Sequence, residues 1–263
     1  MLCSILVPVY NEAENIRTVL SSLSEALKNE PHEIIIVYDF DEDNTLPAVR
    51  SMPDCPSSVR LVKNDFGAGV VNALKKGFAA ANGDTVVTMM ADLSDNPQDI
   101  PAMLEKCRNG AAVVAGSRYM KDGKQLCKKS LKSFLSRTAG LSLHYIAGVK
   151  THDATNNFRA YRADFLRSVN VESESGFEVA LELTVKAHNA GLRIDEVPTV
   201  WQDRTAGKAR FRLMKWLPAY LRWYLAAAAA PFIVWMIPFF LYCNAVEWIS
   251  WHAFPIPIFR QCR

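Results

Sequence analysis

Apolar residues recur along the first half of the chain in two alternating registers. Short runs rich in Ile and Val read as strands: "SILVPVY" at 4–10, "EIIIVYD" at 33–39, "VRLVK" at 59–63, "DTVVTMM" at 84–90 and "AAVVAGS" at 111–117. Between them the spacing changes to three and four. Ile16, Val19, Leu20, Leu23 and Leu27 share one helical face, with Asn11 as the expected N-cap. "GVVNALKKGFAAA" from Gly69 and "NPQDIPAMLEKCRN" from Asn96 read as further helices, and "SGFEVALELTVKAHNAGLRIDEVPTVWQD" as a helix followed by a strand. The alternation predicts βα units around a mostly parallel sheet, an α/β fold.

The pattern changes towards the far end. From Trp223 to Asn244 there is no charge, and a bilayer-crossing helix needs about 20 such residues. Pro231 and Pro238 favour a kink or a re-entrant turn over one straight helix. Just before it, "FRLMKWLPAYLRWY" sets Trp216, Tyr220 and Trp223 at helical spacing among Arg212, Lys215 and Arg222, the pattern of an interfacial helix. The expected organisation is a catalytic-size domain at 1–210, an amphipathic interfacial helix at 211–224, a hydrophobic membrane segment at 225–246 and a short tail at 247–263. Basic residues ahead of the apolar stretch place the domain on the cytoplasmic side of a membrane. A second basic stretch, Lys121 to Arg137 with Leu126, Leu131, Phe134 and Leu135 interspersed, reads equally as a solvated helix or a surface facing anionic lipid. "MLCSILVPVYNE" lacks a basic n-region, so the expectation is that it belongs to the fold.

Composition narrows the classes. With 263 residues, half of them hydrophobic, the chain can bury one sizeable core and carry an appendage. Thirty basic against twenty-seven acidic residues give +3, which gives no support to a nucleic-acid partner. The six cysteines form no CxxC pair and the five histidines no HExxH spacing, so free thiols in a reducing compartment are expected.

In a sheet of this kind ligands bind beyond the carboxyl ends of the strands. Polar groups cluster there: Tyr10, Asn11 and Glu12; Asp39, Asp41 and Asp43; Asp65 with Gly67 and Gly69; Asp92, Ser94 and Asp95; Ser117 and Arg118. "GAG" at 67–69 reads as a tight turn, since no GK[ST] follows and no full GxGxxG is present. Asp39 follows an apolar run and belongs at the sheet edge, whereas Glu42 and Asp43 read as a solvated turn. "DLSD" at 92–95 offers carboxylate and hydroxyl oxygen suited to Mg²⁺ or Mn²⁺. Ser94 or Asp95 ahead of Asn96-Pro97 also reads as a helix cap. The simplest division makes Asp92 functional and Asp95 structural.

Taken together, "VPVYNEAENI", "IIIVYDFDEDNT", "GAGVVNALKKGF", "ANGDTVVTMMADLSDNP", "AGSRY", "NNFRAYR" and "DRTAGKARF" resemble the family 2 glycosyltransferases. Within that family the pattern is similar to the polyprenyl-phosphate sugar transferases of the dolichol-phosphate mannose synthase type. The resemblance implies a GT-A fold that binds a nucleoside-diphosphate sugar with Mg²⁺ or Mn²⁺. It implies Pro8, Tyr10, Asn11, Glu12 and Ala91 at the nucleotide-sugar pocket, with Val37 and Asp39 at the base or ribose. Asp92 and Ser94 would hold the metal, Asp95 being a further candidate, and Arg118, Arg204 and Arg210 would surround the phosphates. Asp92, Arg118 and Arg204 form the implied catalytic set, with Arg137 and Glu182 on the acceptor side. A salt bridge from Glu182 to Lys186 is the plainer account of that helix.

Three departures stand out. Met90-Ala91-Asp92 replaces the usual DAD, and a thioether is a poor ligand for Mg²⁺. Tyr38-Asp39 stands where paired acids are common, and Ala209-Arg210 where Ser-Lys is usual. The implied function is inverting transfer of a hexose to a polyprenyl phosphate at the cytoplasmic membrane face, and the apolar tail is the segment through which a membrane-protein partner would pair. The alternatives are transfer to a glycan or glycolipid hydroxyl, or a catalytically silent sugar-nucleotide-binding protein. Processive polysaccharide synthesis is disfavoured because Ala219 stands where QxxRW requires Gln.

Overall fold

The apolar runs become strands, most of them buried on both faces, while Val59–Lys63 is half-buried. The computed structural model describes residues 1–126, 131–174, 178–202 and 218–227. β1 (Cys3–Pro8), β2 (His32–Tyr38), β3 (Val59–Lys63), β4 (Thr85–Thr88), β5 (Val113–Ser117), β7 (Arg159–Arg162) and β8 (Ile194–Pro198) form one sheet in the order β3-β2-β1-β4-β7-β5-β8. Its pairings are parallel except at β7, which is antiparallel to both β4 and β5. β4 ends at Thr88, so Met89 and Met90, expected at the end of a strand, belong to the loop beyond it. A small second sheet pairs β6 (Lys124–Leu126) with β9 (Val200–Gln202).

Side chains alternate across the sheet, as a period of two requires. Ile5, Val7, Ile34 and Ile36 point to one layer, where α1 (Ile16–Ala26) and α4 (Ile100–Arg108) cover them. Leu6, Ile35 and Val37 point to the other, beneath α3 (Val70–Ala80). Ile16, Val19, Leu20, Leu23 and Leu27 are all fully buried, a stripe contributing roughly 10 kcal/mol of transfer free energy before entropy is charged against it. On α3, a Cβ at Gly77 would stand 2.9 Å from Leu6 Cδ1, so glycine sets how closely that helix approaches the sheet.

Helix α1 begins at Ile16 after Asn15, not after Asn11. Asn11 sits in the left-handed region (φ 57°), and its side-chain Oδ1 accepts a bond from the Asn44 N–H, so it ties two loops together instead of capping. The short helix α2 (Thr45–Arg50) follows. Helices α5 (Leu131–Tyr145), α6 (Ala163–Ser168) and α7 (Val179–Asn189) complete the second layer.

Residues 218–227 are helical, and here the expected interfacial pattern is corrected. Trp223 and Ala227 are buried against Leu181 and Val185 of α7, and Tyr220 packs on the same cluster. Tyr224 Oη donates to Ser142 Oγ (2.9 Å), Lys186 Nζ lies 5.1 Å from the Trp223 ring centroid, and Arg222 pairs with Glu172. Tyr220 and Trp223 thus face the domain, leaving Leu221 and Leu225 exposed. Trp216 and most of the expected membrane segment lie outside the described residues. Among the described residues no helix is long and apolar enough to cross a membrane, and Cys3, Cys55 and Cys107 are free thiols.

Candidate active site

Connections from β1 depart towards β2 on one side, while β4 pairs with β1 on the other, so the carboxyl ends of β1 and β4 flank a topological switch point. Pro8 is buried at the end of β1, and the loop after it is laced to the loop after β2. Asp43 accepts the Asn11 N–H on both oxygens (3.2 and 3.1 Å) and the Thr45 N–H (2.8 Å). Thr45 Oγ1 accepts the Glu12 N–H (2.9 Å), and Asn44 Oδ1 accepts the Ala13 N–H. Asp43 is completely buried, a correction to its reading as a solvated turn. A carboxylate at that depth needs such donors to offset its desolvation. Tyr10 remains exposed, its ring edge-on to Phe40 at 5.3 Å, and Glu12 accepts from the Asn15 side chain.

Asp39 is turned towards the glycine loop. It accepts from Asn64 Nδ2 (2.8 Å) and the Gly69 N–H (2.9 Å). Gly69 has φ +119°, a conformation glycine adopts without strain, which brings its N–H to the carboxylate. Val37, implied at the base or ribose, has its side chain inside the core with Leu6 and Ala73, and Ala91 is likewise buried in the opposite cluster.

Beyond β4 the loop folds back on itself. Asp92, Ser94 and Asp95 are all nearly buried, and Leu93 between them has φ 60°, a left-handed conformation costly for a branched side chain. Asp92 Oδ1 accepts the Ser94 N–H (3.2 Å), while Asp95 Oδ2 reaches back to the Met90 N–H (3.2 Å). Asp95 is therefore not the helix cap. That task belongs to Asn96, whose Oδ1 accepts the Gln98 N–H with Pro97 in the first turn. Burial, then the neighbouring Asp92 charge, pushes the Asp95 carboxyl up to about 7, with the Met90 N–H acting against both. The loop is pinned from outside by Gln202 of β9, which donates its N–H to the Ser94 carbonyl (3.2 Å).

Two close carboxylates and a hydroxyl fit a hard divalent cation, whose remaining ligands would come from phosphate oxygens and water. Among the described residues no group of three or more His, Cys, Asp and Glu side chains is placed to hold a metal ion by itself. The donor set suits a cation shared with a diphosphate.

Arg118, just past β5, is nearly buried and braced. Nε and Nη2 donate to the two oxygens of Asp153 (2.6 and 2.9 Å), and Nη2 also reaches Ser136 Oγ and Thr155 Oγ1 (3.2 Å each). The guanidinium carbon lies 4.9 Å from the Tyr119 ring centroid and 5.9 Å from that of Trp201. Burial opposes the arginine's charge, but the Asp153 charge and hydrogen bonds outweigh it and raise its pKa. Asp153, despite burial, is held below the ordinary carboxylate range by Arg118. Beneath them Arg159 is fully buried, donating to the Asn156 carbonyl (2.7 Å), Thr184 Oγ1 (2.8 Å) and the Asp153 carbonyl. Asp153 and Arg159 are missing from the sequence-derived site. Asp153 was signalled only by a polar run, 151–157, while Arg159 lies within the "NNFRAYR" motif, to which no role was given.

The remaining expected residues are spread more widely. Arg137 is exposed on α5. Glu182 is fully buried, accepting the Glu172 and Ser173 N–H groups (2.6 and 2.8 Å) and pairing with Lys186 (2.8 Å), so it clasps the 172–173 segment to α7. Arg204 and Arg210 lie outside the described residues.

The family model described as "Glycosyl transferase family 2" matches residues 4–169. A dolichol-phosphate mannosyltransferase of Pyrococcus furiosus is 29% identical over 233 residues, covering 82% of this chain and 64% of that protein. The chain therefore spans less than two thirds of that relative's length. An undecaprenyl-phosphate mannosyltransferase of Micrococcus luteus is 28% identical over 211 residues, covering 78% and 85%. Among solved structures, glucosyl-3-phosphoglycerate synthase of Mycobacterium tuberculosis, in complex with Mn²⁺, UDP and glucosyl-3-phosphoglycerate, shares the fold at a TM-score of 0.62 and 21% identity, covering 87% of this chain and 78% of that one.

Proposed function

The chain belongs to glycosyl transferase family 2, and from that premise we propose that it moves a hexose from a nucleoside-diphosphate sugar to a polyprenyl phosphate, with inversion at the anomeric carbon. One observation carries the reading: the acidic loop after β4 and the braced Arg118 after β5 both emerge at the ligand edge of the sheet. The names of the Pyrococcus and Micrococcus relatives support a polyprenyl phosphate and mannose as the substrate class.

The chemistry asks little of a general base. A lipid phosphate oxygen is already ionised at neutral pH, so it attacks the anomeric carbon without losing a proton. As that bond forms, the bond from the anomeric carbon to the diphosphate oxygen breaks, and the nucleoside diphosphate departs with the electron pair. Growing charge on the leaving group is the main demand, and fixed donors aimed at it are the effective response. Arg118 presents a guanidinium suited to phosphate oxygen. Asp92 and Ser94, with Asp95 beside them, would hold Mg²⁺ or Mn²⁺, which when bound supplies compensating positive charge. We place the domain at the cytoplasmic membrane face, on the strength of the basic residues ahead of the apolar stretch and of exposed Phe134 and Leu135 on α5.

The test is release of nucleoside diphosphate by the purified full chain, given UDP- or GDP-hexoses, a polyprenyl phosphate and Mn²⁺. Turnover is expected with one donor, and Asp92→Asn should reduce it by about 100-fold or more. Nucleotide binding without turnover on any donor would instead favour the silent sugar-nucleotide-binding protein that Met90 suggests. Product on a glycan hydroxyl but not on the lipid phosphate would move the acceptor assignment.

A further inference from the structure

We propose that Asp153, on the connection between α5 and β7, is a positioning residue that sets Arg118 for phosphate recognition; this rests on the role given to Arg118 above. The guanidinium has five N–H donors. Asp153 takes Nε and Nη2 in a two-point fork and also accepts the Arg118 backbone N–H (3.1 Å), so one carboxylate fixes both ends of the side chain. Ser136 and Thr155 take up Nη2 further. Among the described residues Nη1 makes no hydrogen bond. Its two N–H groups are the donors left for a ligand, and their direction follows from the fork.

Asp153 is itself over-determined. It is fully buried, and its Oδ1 accepts from the Thr155 N–H (3.3 Å), the Thr155 hydroxyl (3.3 Å) and the Asn156 N–H (3.2 Å). Its carbonyl is held by Arg159, which is anchored on α7 through Thr184. One residue earlier, Glu196 of β8 accepts the His152 N–H (2.8 Å) and the Thr151 hydroxyl (3.0 Å), fixing the entry to the turn. The carboxylate is thus held by groups of its own turn, and the turn in its place by β7, α7 and β8, through bonds that do not involve Nη1. An arginine held this way has surrendered its rotamer freedom before any phosphate arrives, so none of that entropy is lost in the transition state.

A positioning role and a purely structural one separate in the kinetics. Asp153→Asn keeps an acceptor oxygen but removes the charge and loosens the fork, leaving the Arg118 charge without its buried counter-ion and less directed. The expected result is a kcat at least tenfold lower, with KM for donor and polyprenyl phosphate unchanged or reduced. In an Arg118→Ala background the same substitution should have no further effect on kcat, because the residue through which it acts is gone. If Asp153→Asn lowers kcat by the same factor in both backgrounds, or raises KM with kcat intact, the proposal is overturned. Should Asp153→Asn fail to fold, Thr155→Val removes one bond from Nη2 and one from Asp153 without stripping a buried charge of its partner. It should lower kcat several-fold in the wild-type background alone, and an equal loss in both would overturn the proposal. Wild-type turnover by Arg118→Ala would remove the phosphate role of Arg118. Absence of transfer by the wild-type protein would remove the transferase reading itself.

Discussion

Met90 is where this site departs furthest from the pattern it resembles, and the structure shows what the substitution does locally. Its N–H is taken by Asp95, while its half-buried side chain supplies no oxygen ligand. A carboxylate at 90 would stand beside Asp92 without having to be fully buried. Met90→Asp should therefore tighten Mn²⁺ binding in the presence of UDP or GDP by about tenfold, about 1.4 kcal/mol, read by isothermal titration calorimetry. Unchanged affinity would mean that Asp95 and the diphosphate already complete the coordination sphere. Asp43 teaches the opposite lesson about single residues. Within "DFDEDN" nothing local distinguishes it from Glu42, because what buries it is the Asn11 N–H, 32 positions away in sequence. The place of Asp92 beyond β4 was legible because it closes an apolar run; the burial of Asp43 and Asp153 was not, because their partners arrive through the fold.

At the scale of elements, those with a strong period were readable and those without one were not. The stripe on α1 is as buried as its spacing demands. β7 escaped because it is four residues long and begins with a completely buried arginine, which a hydrophobic pattern scores as surface. The aromatic spacing of 216–223 was real, but spacing alone does not say which apolar medium an aromatic face meets. Protein and lipid interface ask for the same amphipathic pattern. Since Trp223 is buried against α7, Trp223→Ala should destabilise the domain by about 3 kcal/mol, whereas Leu225→Ala on the exposed side should stay within about 0.5 kcal/mol. Urea unfolding of the two variants distinguishes this packing from a helix facing outward, for which the order would reverse.

Across the whole molecule the sheet divides its labour between its two ends. The carboxyl ends of the strands carry strained backbone and crowded carboxylates, while the amino ends carry a knot around Glu33. That side chain accepts from Ser4 Oγ at the start of β1 (2.6 Å), from Arg60 of β3 (2.8 Å), and from the N–H and side chain of Asn82 ahead of β4 (2.7 and 3.2 Å). Four chain segments are thereby fastened by one carboxylate. Burial alone would raise its pKa, but the Ser4 and Asn82 bonds and the Arg60 charge together lower it below the ordinary value of 4.5. A folded-state pKa below the unfolded one means that the unfolded chain binds more protons in the interval between them. The stabilisation is then complete above about pH 4.5 and is lost as pH falls through the folded value. Glu33→Gln should accordingly cost about 1–3 kcal/mol at pH 7, and the gap to the wild type should close as the solution is acidified towards pH 3. Unfolding curves at pH 7, 5 and 3.5 measure it, and a gap that stays constant would assign the loss to packing instead of charge. Because the knot lies at the far end of the sheet from Asp92 and Arg118, kcat/KM of the folded variant at pH 7 should match the wild type, so that stability and turnover respond to opposite ends of the same strands.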